Sequence, residues 1–384
     1  MLGLALSIAN ILLLRPLAAI TRLLRNQDGT VTLQSLEAVA ALPTARNNDG
    51  TVTVGAIDAP AATNGYSRPI VILGASNDIG PDDGPNAVLT AEDDDARLRW
   101  LDPANGQLRD LDHTLGIPRP GGESFKATTP AISFAKALAD ADTNDVIYVL
   151  VPTAVGGRGI SRGGTIDGQG PWHPDGTDPA WDIGGNGPDS QGFGALYNAH
   201  VSGNWKNATD AAIADTFPDR TVLPPIFLGH PLNENDADEA DYAMLLDATR
   251  RCVTGIREAW GYPDAPWVSF GGPPQWTYFG IPNREKITGI NAQLAQELPN
   301  VAFVDGVEGH QHELEDIHYS NSGCRLLGAR MAPAVAVADA RTTAPNAWVD
   351  WIDRLTNRPD RYVGLYRGLS TYDGPAVRVA RRPQ

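Results

Sequence analysis

From Ile70 onward the chain alternates short apolar runs with stretches of helical periodicity, and few folds accept that pattern. Ile70 to Leu73, Val146 to Val151, Ile226 to Leu228, Trp267 to Phe270 and Val301 to Val304 are too short for helices and carry little polarity on either face. A strand that is apolar on both faces is buried between two layers, as in a parallel sheet covered by helices. Between the runs, Tyr242, Leu245, Leu246, Val253, Ile256 and Trp260 recur at helical spacing, as do Ile287, Ile290 and Leu294. Leu326, Leu327, Met331 and Val335 mark one more helix after His318. The pattern predicts an α/β domain whose crossover helices cover the faces of a parallel sheet.

With 384 residues, of which 42% are hydrophobic, the chain has ample material for a core. Its 46 acidic side chains against 30 basic ones give a formal charge of -16, which repels phosphate backbones, and no basic cluster offsets this. Nucleic acid is excluded as a partner. Cys252 and Cys324 fall on predicted helices without metal-ligand spacing and read as buried thiols.

Two flanks lie outside this pattern. Residues 1–67 open with Leu2, Leu4, Leu6, Ile8, Ile11, Leu12, Leu13 and Leu14 before the first charge at Arg15. A secretory signal carries its cations ahead of the apolar region, and here they follow it. A membrane span needs about 20 uninterrupted apolar residues, and Asn10, Arg15 and Pro16 break this run early. The segment up to Arg25 is read as an apolar helix buried in a homo-oligomer or larger assembly, with membrane contact less favoured. Thr30 to Leu33 and Thr51 to Val54, set between turn signals, predict a small β-rich arm. Residues 341–384 carry Trp348, Trp351, Tyr362 and Tyr366 and form a packing extension, leaving 68–340 as the central domain.

Pro81 to Gly122 and Gly156 to Gly194 lack periodicity and are rich in Gly, Pro and Asp. Loops of this length in α/β enzymes usually serve a binding surface. Trp172, His173 and Trp181 could stack on sugar rings, although loop aromatics more often pack their own loop. The acidic run Glu92 to Asp95 reads as a solvated loop, with calcium binding a lesser alternative.

Gly74-Ala75-Ser76-Asn77 follows the first strand, Gly156-Gly157 follows the second, Asn233-Glu234-Asn235-Asp236 the third, and Glu315-Asp316-Ile317-His318 precedes the last helix. In this order the blocks resemble those of the SGNH (GDSL-type) hydrolases, and within them the sialate O-acetylesterase-like carbohydrate esterases, over about residues 68 to 337. Ala75 stands where that family has glutamine, Asn233 where it has glycine, and Glu315 where it has aspartate. The resemblance implies a flavodoxin-like three-layer α/β/α domain and a serine carbohydrate O-acetylesterase that needs no cofactor and no metal. Ser76 would be the nucleophile and His318 its base, oriented by Glu315 or by the adjacent Asp316. The oxyanion hole would draw on Ser76, Gly156 or Gly157, and Asn235, with Asn233 as its alternative. An acetylated glycan is the implied substrate, and an extracellular or virion-associated setting is favoured over a cytoplasmic one.

Each element has a plainer alternative. Ser76 could cap the helix behind the first strand. His318 could be a surface residue, or could join His310 and His312 in a metal cluster, although their alternation on a loop lacks a second ligand spacing. Glu234 and Asp236 are sequence neighbours and read as turn residues rather than as a glycosidase pair. The competing whole-chain reading is a structural or receptor-binding component of a phage-like particle whose esterase-like domain binds glycans with little turnover.

Overall fold

The computed structural model describes residues 65–80, 89–118, 120, 124–125, 128–161, 170–181, 183, 192–232, 242–274, 281–307 and 318–341, together with four short strands nearer the N-terminus. The chain divides into two compact units, Met1–Thr63 and Asn64–Gln384. In the first, Leu23–Arg25 pairs antiparallel with Val31–Leu33, and Thr44–Arg46 with Val52–Val54. The predicted apolar helix lies outside the described residues up to position 22, and its last three residues, Leu23–Arg25, form a strand instead. The tail beyond Arg341 also lies outside them.

The second unit is built on a mostly parallel sheet. Its strands are β1 (Tyr66–Leu73), β2 (Leu98–Asp102), β3 (Gln107–Asp110), β4 (Val146–Pro152), β5 (Ile226–Gly229), β6 (Trp267–Phe270) and β7 (Val301–Val304). They lie in the order β7-β6-β5-β1-β4-β2-β3, with Thr221–Val222 pairing on β1 as well. Taken alone, β1, β4, β5, β6 and β7 follow the 2-1-3-4-5 order of doubly wound sheets. The five predicted strands are all present; β2 and β3 arise inside the stretch expected to be an irregular loop. Because β3 runs antiparallel to β2, the sheet is not wholly parallel as predicted.

Helices cover both faces. α2 (Pro130–Ala141) and α7 (Asn321–Ala340) lie on one side. On the other are α3 (Ala195–Val201), α4 (Asn204–Thr216), α5 (Tyr242–Ala259) and α6 (Ile281–Glu297); a single turn, α1 (Ser76–Ile79), follows β1. The alternation of side chains along each strand explains the division. Val71, Leu73, Val149 and Val151 face the four-helix side, while Ile70, Ile72, Tyr148 and Leu150 face α2 and α7. Every residue of β4 is buried, as its unbroken apolar run requires. Each such Val, Leu or Ile removed from water contributes about 1.5–3 kcal/mol before the entropy of ordering is counted.

Capping sets the starts of α2 and α7. Thr129 accepts the Ala131 N–H at 3.2 Å, and Pro130 occupies the first turn of α2, where no backbone donor is needed. Ser320 accepts the Gly323 N–H at 3.2 Å and starts α7. Cys252 and Cys324 are buried free thiols on α5 and α7, and burial pushes both thiols up. Among the described residues, no helix is long and apolar enough to cross a membrane.

Candidate active site

β1 ends at Leu73, and the chain turns sharply through Gly74, whose φ of +126° lies in the region that L side chains rarely adopt. A Cβ on Gly74 would also strike Asp78 Oδ2 and the His230 carbonyl. The cap position of α1 falls on Ala75, so Ser76 is not the helix cap that its residue type allows. Instead Ser76 Oγ lies 2.8 Å from His318 Nε2, a hydrogen bond between residues 242 positions apart. Both side chains are part-buried, so His318 is not simply a surface residue.

The segments carrying this pair are themselves tied together. The Tyr319 N–H donates to Asn77 Oδ1 at 3.3 Å, and the buried Tyr319 hydroxyl donates to the Gly271 carbonyl at 2.7 Å. Thr129, the cap of α2, donates its hydroxyl to the Asp78 carbonyl at 2.6 Å. The turn after β1 is thereby held from the β6 side, from α2 and from the start of α7.

Gly156 and Gly157 follow β4, and their surroundings leave both exposed. Val155 donates its N–H to the Gly74 carbonyl at 3.1 Å, which brings the glycine segment alongside the turn that carries Ser76. Gly157 has a φ of +67°. Asn233, Glu234, Asn235, Asp236, His310, His312, Glu315 and Asp316 lie outside the described residues.

A buried carboxyl sits directly beneath the serine. Asp78 Oδ2 accepts the Ala75 N–H at 2.8 Å and stands 3.5 Å from His230 Nδ1. Burial raises the Asp78 carboxyl above its usual range, opposed by the His230 ring and by the N–H groups of Ala75 and His230. The His230 ring stacks on Phe270 at 5.3 Å between centroids.

No family model matches the sequence, and no curated protein matches it. Among solved structures, the crystal structure of NanS is similar, with a TM-score of 0.50 and 17% identity over 71% of this chain and 97% of that one. The X-ray structure of a protein from Arabidopsis thaliana gives a TM-score of 0.47 and 17% identity, over 71% and 98%. The crystal structure of XAC1771, a novel carbohydrate acetylesterase from Xanthomonas citri, gives 0.38 and 17%, over 72% and 56%. The chain shares the fold of NanS.

Within this fold the loop aromatics pack inward. Trp172 and Trp181 are buried, Trp172 stacked on His200 at 5.7 Å and Trp181 on Trp205 at 5.4 Å. His173 lies against Phe193 at 5.3 Å and is nearly buried. The three residues fasten their loop to the core, as the packing reading expects, and are not free to stack on a sugar. The Trp172 indole N–H also reaches the Gly74 carbonyl at 3.3 Å, so the loop supports the turn that carries Ser76.

Sequence reasoning missed a buried polar relay on the same side of the sheet. The Trp260 indole N–H donates to His200 Nδ1 at 3.1 Å, which leaves the His200 proton on Nε2. That nitrogen lies 3.1 Å from Thr153 Oγ1, and the Thr153 hydroxyl donates to the Ile72 carbonyl at 2.7 Å. Burial pushes the His200 imidazole down to about 3. The relay ties α3 and α5 to the ends of β1 and β4. A lone histidine in an unassigned helix carried no signal for it, whereas Asp78, a charge two positions past the serine, was visible.

The acidic run is not wholly solvated either, since Asp93 is buried and bound by Arg325. Among the described residues, Asp94, Asp112 and His113 bring ligand atoms within 4.8 Å of one another. The three are half-exposed, and His113 Nδ1 already lies 2.6 Å from Asp94 Oδ2.

Proposed function

We propose that this chain is a serine esterase that removes O-acetyl groups from carbohydrate, with Ser76 as nucleophile and His318 as general base. The observation that carries the reading is the 2.8 Å separation between Ser76 Oγ and His318 Nε2. A neutral hydroxyl is a poor nucleophile, and a base within hydrogen-bond reach removes that obstacle. The acetyl group and the sugar follow from the sequence blocks, whose order and spacing resemble those of carbohydrate esterases.

Ser76 Oγ attacks the acetyl carbonyl carbon as its proton passes to His318 Nε2. The bond from that carbon to the sugar oxygen then breaks, and the sugar oxygen takes the proton from Nε2, leaving an acetyl ester on Ser76. Water attacks this ester with His318 again as base, acetate leaves, and the proton returns to Ser76. Glu315, or Asp316 beside it, is the proposed acid that orients the imidazole and stabilises its charged form. The Ser76 N–H, a glycine N–H from Gly156 or Gly157, and the amide of Asn235 or Asn233 are the proposed oxyanion donors. Losing one such donor costs about 10²–10³ in rate.

The test is acetate release from p-nitrophenyl acetate and from an acetylated polysaccharide, with Ser76→Ala as control. Turnover by the wild type that Ser76→Ala abolishes is the expected result. Equal inertness of the two removes the catalytic reading.

A further inference from the structure

Asp78 occupies a slot that the fold makes at some cost. Its side chain is buried, Oδ2 is bonded to the Ala75 N–H, and the His230 N–H and ring lie beside the carboxyl. The walls are backbone: a Cβ on Gly74 would strike Oδ2, and one on Gly229 would strike Oδ1 and the Leu73 carbonyl. Both glycines have positive φ, +126° and +103°, so neither position suits another residue. Gly74 follows β1 and Gly229 ends β5, the neighbouring strands between which the winding of the sheet reverses. Ligands of doubly wound folds bind at that crevice.

A buried carboxyl is a poor way to fill space, since an apolar side chain of similar volume would cost less. What the carboxyl supplies is an acceptor for the amide immediately before the serine. We propose that Asp78, paired with His230, is a positioning residue: it holds the Ala75 N–H and so fixes the turn on which Ser76 presents its hydroxyl to His318. This role rests on the esterase reading of the site.

Asp78→Leu keeps the branched shape, in a larger side chain, and removes the acceptor, whereas Asp78→Asn keeps an acceptor oxygen of the same shape. On p-nitrophenyl acetate, Asp78→Leu lowers kcat by about 10²-fold, the order of loss for an ångström of misplacement, with KM within about twofold. Asp78→Asn stays within about fivefold of the wild type on the same grounds. Equal kcat in all three proteins, or equal loss in both variants, overturns the proposal. If Asp78→Leu does not fold, Asp78→Ala is read in its place.

Crystal structures separate this proposal from the esterase reading. If the wild type is as inert as Ser76→Ala, the enzymatic reading has failed, yet the Ser76 Oγ to His318 Nε2 separation still decides the positioning role. Widening from 2.8 Å to beyond hydrogen-bond distance in Asp78→Leu, with the bond kept in Asp78→Asn, supports it. An unchanged separation in Asp78→Leu overturns it.

Discussion

Tyr319 donates its backbone N–H to Asn77 Oδ1, one residue along each segment from the hydrogen bond that joins Ser76 to His318. Two adjacent bonds therefore link the same two segments, and the second restrains the first. A side-chain pair alone leaves both residues free to rotate, while an amide gripped beside it fixes the direction in which the His318 segment runs. Asn77 is buried, so its bond is shielded from competing water.

Asn77→Ala is expected to lower kcat for acetyl-ester cleavage by about 10- to 100-fold through misplacement of the histidine, with KM little changed. Asn77→Asp, which keeps an oxygen in place, recovers most of the loss. Steady-state kinetics on the three proteins checks this, and a loss confined to KM contradicts it.

His200 makes the fold sensitive to acid. Its folded pKa, about 3, lies below the ordinary value of 6.5, so the unfolded chain takes up a proton that the folded one refuses. The stability this residue contributes is complete above pH 6.5 and is lost as pH falls towards 3, at up to about 1.4 kcal/mol per pH unit. His200→Gln is expected to be less stable at neutral pH because the Trp260 and Thr153 bonds are disturbed, but to lose less with acid. Unfolding curves at pH 7, 6, 5 and 4 measure the two slopes, and parallel slopes contradict the assignment.

Where a strand is buried on both faces, its residues announce it, as β4 and β6 do. β2 carries Arg99 and Asp102 beside Leu98, Trp100 and Leu101 and lies towards the edge of the sheet, so its composition resembles the turns around it. α2 has alanine at three of its six buried positions, Ala131, Ala135 and Ala139, which dilutes its apolar stripe. In the site, Ser76 and His318 could be found because each belongs to a short block of fixed order. Asp78 with His230, and His200 with Thr153, could not be paired in advance, since a bond between buried polar groups depends on which strand ends become neighbours. The inward turn of Trp172 and Trp181 is of the same kind: loop composition is silent about which side of the loop meets the core.

Arg325 on α7 holds the loop before β2. Its Nε donates to Asp93 Oδ1 at 3.1 Å, and its Nη2 donates to both Asp93 Oδ2 and Thr90 Oγ1, each at 2.8 Å. Asp93 is buried, so Arg325→Ala strands a carboxylate away from water, a loss of about 2–3 kcal/mol given that the arginine itself is partly exposed. Asp93→Asn in the same chain is expected to restore part of that loss. A double-mutant cycle from denaturant melts gives the coupling, and additive effects contradict a paired role.

Asp78 carries the opposite pH signature to His200. Burial raises its carboxyl above the ordinary 3.8, so the folded chain binds this proton more tightly than the unfolded one. Its contribution to stability is complete below pH 3.8 and declines as pH rises through the raised folded value, because a charge must then be kept in a slot walled by backbone. Asn at this position never ionises, so Asp78→Asn is expected to match the wild type in acid and to exceed it at neutral pH, by a margin that opens above the ordinary carboxyl range and then levels off. Melting temperatures of both proteins from pH 4 to 8 test this. A constant difference across that range means that the Asp78 carboxyl does not titrate in it and that the His230 ring outweighs the burial.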